Sequence, residues 1–201
     1  MSNSTYEVTF PYEGKEFSFL GPDSHILRGM EKYQRFYEMA FLEFLREHVP
    51  SGGVWVDAGA FIGTHSVYFA EFCADEVHAF EPNETNFAYL QENTADYGNI
   101  TLYNSGLWYE KVQINGWQLY RLDKYNLPDV QCIKIDTEGA EVNILEGAVH
   151  TLEDWRPWLG LEAQEVGCYA RQYSFLYPLG YQRFGKRFNR TPTFVWKPRI
   201  S

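Results

Sequence analysis

Apolar residues alternate with polar ones near both ends of the chain and recur at intervals of three and four between them. The stretch FPYEGKEFSFLG, residues 10–21, alternates on either side of Glu13-Gly14 and predicts a small hairpin turning at that pair. From Glu31 to His48, Tyr33, Phe36, Tyr37, Ala40, Phe41, Phe44 and Leu45 recur at helical spacing. One cover helix is predicted there, ended by Pro50 and the glycines of VPSGG, and it carries no assigned chemistry.

An alternation of short apolar runs and helical segments follows. GVWVDA, EVHAFEP and NITLYNS read as strands separated by helices over 65–72 and about 84–95. VQCIKID and WLGLEA flank a helix with Val142, Leu145, Val149 and Leu152 on one face. Strands and helices in this order predict a parallel sheet covered on both sides. After a helical stretch near 168–177 the rhythm breaks, because GYQRFGK and TPTFVWKP are joined by too short a loop for a crossover helix and must pair antiparallel. The expected fold is therefore α/β and Rossmann-like, of the methyltransferase type, with a mostly parallel seven-stranded sheet and an antiparallel C-terminal hairpin edge. Residues 1–50 are expected to add the hairpin and cover helix to the same domain as the core at 51–201.

Composition narrows the function. With 201 residues, 45% of them apolar, the chain can bury a full core. A net charge of -10 argues against a nucleic-acid groove. Neither a leader-like N-terminus nor an apolar run long enough for a membrane span is visible. Cys73, Cys132 and Cys168 are odd in number and form no metal-spaced pair, so buried reduced thiols and a cytoplasmic location are expected. Aromatic residues, 18% of the chain, are read as core filling.

The first parallel strand ends in chemistry. In such sheets ligands sit beyond the carboxyl ends of the strands, where VDAGAFIG places Asp57, Gly59 and Gly63. Glu81 ends the next strand, at the spacing of an acid that holds a ribose diol. A nucleoside pocket is the consequence. Dinucleotide binders carry GxGxxG, whereas this loop is DxGxxxG, and Asp57 would repel a pyrophosphate but attract an ammonium or sulfonium. S-adenosylmethionine is the expected cofactor.

VDAGAFIGTHSVYFA, VHAFEPN, CIKIDTEGAEVNILEGA and RPWLGLEA, in this order, resemble the FkbM family of methyltransferases over about residues 25–165. The resemblance implies a class I methyltransferase that uses S-adenosylmethionine, in a family that typically methylates hydroxyls of sugars and natural products. It places Asp57, Gly59 and Gly63 in the cofactor loop and makes Glu81 the ribose acid. Two positions depart from the pattern. Phe61 stands where the family usually has Asn, which suits left-handed backbone better, so a differently shaped loop is expected. The segment between TLYNSGLW and CIKID is short, which suggests a truncated wall.

Asp136 and Glu162 terminate later strands, so with Glu138 they are expected on the acceptor side as candidate catalytic acids. Glu141 is read as compensating a helix dipole, and Lys134 is given no role. His65 is an alternative base, while His78 and His150 read as structural or solvated. No metal is assigned, although three clustered carboxylates are also compatible with Mg2+. The acceptor is expected to be a saccharide or other small molecule, with neither nucleic acid nor membrane as partner. An NAD-dependent oxidoreductase and a non-catalytic S-adenosylmethionine or S-adenosylhomocysteine binding module remain alternatives.

Overall fold

A computed structural model describes residues 5–164 and 167–199; residues 1–4 of the N-terminal stretch lie outside these. The predicted hairpin is formed by β1 (Thr5–Tyr12) and β2 (Lys15–Pro22), antiparallel and in register from Thr5↔Pro22 to Tyr12↔Lys15. Glu13 and Gly14 both take positive φ at its turn, which matches the right-handed twist of a two-residue hairpin. The predicted cover helix is instead two helices, α1 (His25–Tyr33) and α2 (Met39–His48). Gln34 and Glu38 stand in left-handed conformation between them. Phe36 accounts for the break. It is 1% exposed and packs edge-on against Phe10, Phe17 and Phe19 of the hairpin and against Tyr68. Burial of that ring outweighs the continuity of an amphipathic pattern.

The main body runs β3 (Val54–Ala58), α3 (Thr64–Phe72), β4 (Glu76–Phe80), α4 (Glu84–Asn93) and β5 (Ile100–Tyr103). Three short strands follow, β6 (Gly106–Leu107), β7 (Val112–Ile114) and β8 (Trp117–Tyr120), then a 3-10 turn at Leu122–Tyr125. The chain continues through β9 (Val130–Ile135), α5 (Glu141–Glu146), α6 (Val149–Asp154), β10 (Trp158–Glu162), α7 (Cys168–Leu176), β11 (Tyr181–Phe188) and β12 (Thr193–Pro198). Seven strands form one sheet in the order β11-β12-β10-β9-β3-β4-β5. β5, β4, β3, β9 and β10 are parallel, while β12 pairs antiparallel with both β10 and β11. The order reverses at β3, where β9 and β4 flank it, and that switch point is where a ligand crevice opens.

Two further expectations are corrected. The helix predicted to carry Val142 through Leu152 is divided at Gly147, where the Trp108 carbonyl packs too closely for any larger residue. The 104–130 segment is not a missing wall. β6, β7 and β8 form a second sheet there, in the order β6-β8-β7. Buried residues of the hairpin, α1 and α2 join Trp55, Val67 and Phe69 in one continuous apolar cluster on one face of the main sheet. Ile133, Ile144, Leu152, Leu161 and Trp196 belong to the cluster on the other face. All three cysteines are free and buried.

Candidate active site

A cavity of about 580 Å³ opens at the switch point. Its lining includes Gly59 and Phe61 after β3, Glu81 after β4, Leu107 and Trp117 of the small sheet, and Asp136 and Glu138 after β9. That volume suits a small-molecule ligand. Glu81 is 6% exposed, and both carboxylate oxygens are fixed by backbone: Phe61 N–H donates to Oε2 at 2.9 Å and Asn83 N–H to Oε1 at 2.9 Å. Burial raises its pKa, and the Asn83 and Phe61 amides offset part of that rise. Each oxygen retains a lone pair, so the anchored carboxylate can still accept hydrogen bonds from a diol.

The loop that donates to Glu81 keeps its left-handed turn without asparagine. Phe61 has φ 53, the left-handed geometry that asparagine would take more readily. Gly59 has φ 79, and a Cβ there would lie 2.0 Å from the Asp136 carbonyl oxygen. The first loop therefore lies directly against the loop after β9. Gly63 does not line the cavity; it precedes α3 at φ 90, and a Cβ would meet Leu90 Cδ1 at 2.8 Å. Both glycines thus have a packing requirement within the protein, and only Gly59 also borders the cavity.

Asp57 is not part of the lining either. It is fully buried, with Ser66 Oγ donating to Oδ2 at 2.6 Å and Lys134 Nζ donating to Oδ1 at 2.9 Å. Asp57 and Lys134 are register partners on adjacent strands. Lys134 Nζ also donates to the Gly59 carbonyl at 2.9 Å. Burial would depress the lysine's pKa, but the Asp57 and Asp136 carboxylates outweigh it and the net shift is upward. The expected direct contact between Asp57 and a ligand is replaced by a three-part brace in which the carboxylate holds the lysine and the lysine holds the loop. A lysine in an otherwise apolar strand was the available signal, because a buried cation requires a buried partner.

Beyond β9 and β10 the groups are acidic. Asp136 and Glu138 face the cavity, Glu138 with φ 54 and exposed. Glu141 holds their loop: its Oε1 accepts from the Thr137 amide at 3.3 Å and the Gly139 amide at 3.0 Å. Loop closure, more than dipole compensation, explains that residue. Glu162 is 9% exposed and does not line the cavity; its Oε2 has no hydrogen-bond partner. Burial, followed by the charge of Asp136, raises its pKa to about 8. Glu38, from the break between α1 and α2, joins this group. Burial and then Asp136 raise it to about 7.

The helical periodicity around Glu38 concealed it. His65 is 5% exposed and held neutral, with burial, then Lys134, lowering its pKa to about 4. His78 bonds Tyr103 and Glu76, a structural role. Among the described residues, no group of three His, Cys, Asp or Glu side chains is disposed to hold a metal ion, and no helix is long and apolar enough to cross a membrane.

The strand order, the reversal at β3 and the cavity over it define a Rossmann-like methyltransferase fold. Solved structures with this fold include methyltransferase FkbM from Methylobacillus flagellatus KT, 20% identical, with a TM-score of 0.67 over 75% of this chain. The chain spans 45% of that protein's length. Precorrin-6y C5,15-methyltransferase from Geobacter metallireducens GS-15 is 17% identical, with a TM-score of 0.59 over 82% of this chain and 87% of its own. SMU.1697c from Streptococcus mutans, solved in complex with SAH, is 15% identical, with a TM-score of 0.54 over 79% of this chain and 94% of its own. No curated protein sequence matches the chain. Residues 110–182 match the Methyltransferase FkbM domain. The FkbM resemblance read from the sequence is thereby borne out, over a stretch that starts at the small sheet and ends at the beginning of β11.

Proposed function

We propose that this protein transfers a methyl group from S-adenosylmethionine to a hydroxyl of a small-molecule or saccharide acceptor. The observation that carries the reading is Glu81, a buried carboxylate held rigid by two backbone amides in the same cavity that Asp136 and Glu138 border. Fixed acceptors of that kind suit the vicinal hydroxyls of a ribose, and the apolar sides of Phe61, Phe80 and Leu107 suit a purine. Bound there, S-adenosylmethionine supplies an electrophilic methyl on a sulfonium.

The chain's own residues do the remainder. Gly59 and Phe61 shape the loop, with Asp57 and Lys134 holding it from behind. Asp136, Glu138 and Glu162 orient the acceptor hydroxyl, and a carboxylate beyond these strand ends takes its proton. A dinucleotide is disfavoured: the Asp136 carbonyl lies against Gly59, where a pyrophosphate would meet an oxygen lone pair.

Calorimetry with S-adenosylmethionine and with NAD tests the cofactor, and labelled methyl transfer onto sugar nucleotides and oligosaccharides tests the acceptor. Binding of S-adenosylmethionine alone is expected. Heat with NAD alone would overturn the reading, and tight binding with no transfer to any acceptor would favour a binding module.

A further inference from the structure

Glu38 and His65 form a pair that the roles above leave unused. Glu38 Oε2 lies 3.7 Å from His65 Nε2, too far for a direct hydrogen bond and close enough that a hydroxyl between them can donate to either. A backbone hydrogen bond with Tyr37 offsets a small part of the fall in the imidazole's pKa, and the neutral ring can present Nε2 as an acceptor. Nε2 is buried without a hydrogen-bond partner, and so is Oε2 of Glu162, a carboxyl that feels the charge of Glu38. Unpaired buried polar atoms are costly, so the free Nε2 marks a position where a polar ligand would complete the structure.

The backbone sets how Glu38 enters this place. Glu38 holds φ 56, a left-handed conformation that non-glycine residues adopt reluctantly. A glycine would serve a bare turn better, whereas this one delivers a carboxylate. The pair also communicates with the cavity. The Tyr37 ring stacks on His65, with centroids 6.4 Å apart and planes at 17°, and its hydroxyl meets His25 Nε2 at 3.4 Å on the cavity wall.

We infer that Glu38 is the catalytic base that takes the proton of the acceptor hydroxyl, with His65 Nε2 and Glu162 Oε2 holding that hydroxyl and its neighbour. The inference rests on the methyl-transfer reading and deepens it. The acceptor is then uncharged at its reacting end and carries adjacent hydroxyls, as a saccharide or polyol does, because an anionic group would be repelled by Asp136 and Glu38. In the reaction the acceptor's O–H bond breaks, its proton passing to a Glu38 carboxylate oxygen. The oxygen's electron pair forms the new bond to the methyl carbon, and the pair of the broken carbon–sulfur bond stays on sulfur, leaving a neutral thioether. The proton on Glu38 then returns to solvent.

The division of labour follows from the environments. Glu162, raised to about 8, keeps its proton near neutrality and donates; Glu38, raised to about 7, can accept. The groups facing Glu38 are Asp136 and Glu162 from the strand ends, Lys134, His65 and Tyr37.

The test uses the full chain labelled with 13C at glutamate carboxyls and 15N at histidines, with Glu38→Gln to assign the Glu38 signal. We expect Glu38 to titrate near neutrality, His65 Nε2 to stay unprotonated, and calorimetry to show unchanged S-adenosylmethionine affinity in Glu38→Gln. On whichever sugar nucleotide or oligosaccharide the wild type methylates, Glu38→Gln should lose about 10²- to 10⁴-fold in turnover and the acidic limb of its pH profile. Glu38 titrating in the ordinary carboxylate range while S-adenosylmethionine still binds would overturn this inference alone, as would a Glu38→Gln turnover within threefold of wild type. Failure of the wild type to bind S-adenosylmethionine would overturn both readings.

Discussion

The two halves of the crevice are finished to different degrees. On the side of β3 and β4 the polar groups already have partners: both Glu81 oxygens accept backbone amides, and both Asp57 oxygens accept from Lys134 and Ser66. On the side of β9 and β10, Glu162 Oε2 is buried without a partner and carboxylates crowd around Asp136. A surface complete before its ligand arrives suits an invariant molecule, whereas an incomplete one is completed by the acceptor. The same contrast separates rigid recognition from chemistry, since raised carboxylate pKa values and unsatisfied atoms are what proton transfer uses.

The largest expected effect breaks the unfinished side. Asp136→Asn and Glu162→Gln should each lower turnover on an identified acceptor by about 10²- to 10⁴-fold, with cofactor affinity almost unmoved. Near-normal turnover in both would remove Asp136 and Glu162 from the acceptor side of the crevice.

Lys134→Met attacks the finished side. It strands the buried Asp57 carboxylate and should destabilise the protein by about 3–5 kcal/mol, read as the urea midpoint. Replacing Asp57 by Leu in the same protein should recover part of that loss, and no recovery would show that the brace is not acting as a pair.

Glu81→Ala is milder, because the apolar core is untouched and the losses are the proposed diol contact and the acceptor of the Phe61 and Asn83 amides. Calorimetry should show S-adenosylmethionine binding weakened by about 2–3 kcal/mol with the melting curve little changed. Equal affinity would remove Glu81 from the cofactor.

The smallest effect sharpens the contrast through pH. Glu162 rises from an ordinary 4.5 to about 8, so the native state holds its proton more tightly. The stability this brings is full below about 4.5 and is lost as pH rises through about 8. His65, lowered from 6.5 to about 4, acts oppositely: its contribution is present above 6.5 and lost as pH falls through about 4. Urea midpoints across this range should show the alkaline-side decline flattened in Glu162→Gln, and an unaltered slope would locate the raised carboxyl elsewhere.

Much of the fold was legible because it is local. Strand lengths, the Glu13-Gly14 turn and the terminal hairpin follow from alternation and from loops too short for a crossover. The break at Gln34–Glu38 was not legible, since Phe36 is drawn into the hairpin by partners distant in sequence while the three-and-four spacing persists through both helices. At the site, the placement of Gly59, Glu81, Asp136 and Glu138 at strand ends brought them to one cavity. Side-chain direction was the missing quantity. Asp57 points to Lys134 inside the sheet, and Glu38 enters through a backbone conformation that residue type does not announce.

The contact between Gly59 and the Asp136 carbonyl also bears on engineering and descent. Lys134 crosses from β9 to bond both Asp57 and the Gly59 carbonyl, so the seam between the halves of the sheet is stitched by a side chain and by backbone in contact. A chimaera that joins the β3–β5 half of this sheet to a foreign β9–β12 half would import a stranger at position 134 and a stranger's loop at 136. Grafts that respect the seam would move β9 and the loop after it together with the Gly59 loop, so that Lys134 and the Asp136 carbonyl keep the partners they have evolved against.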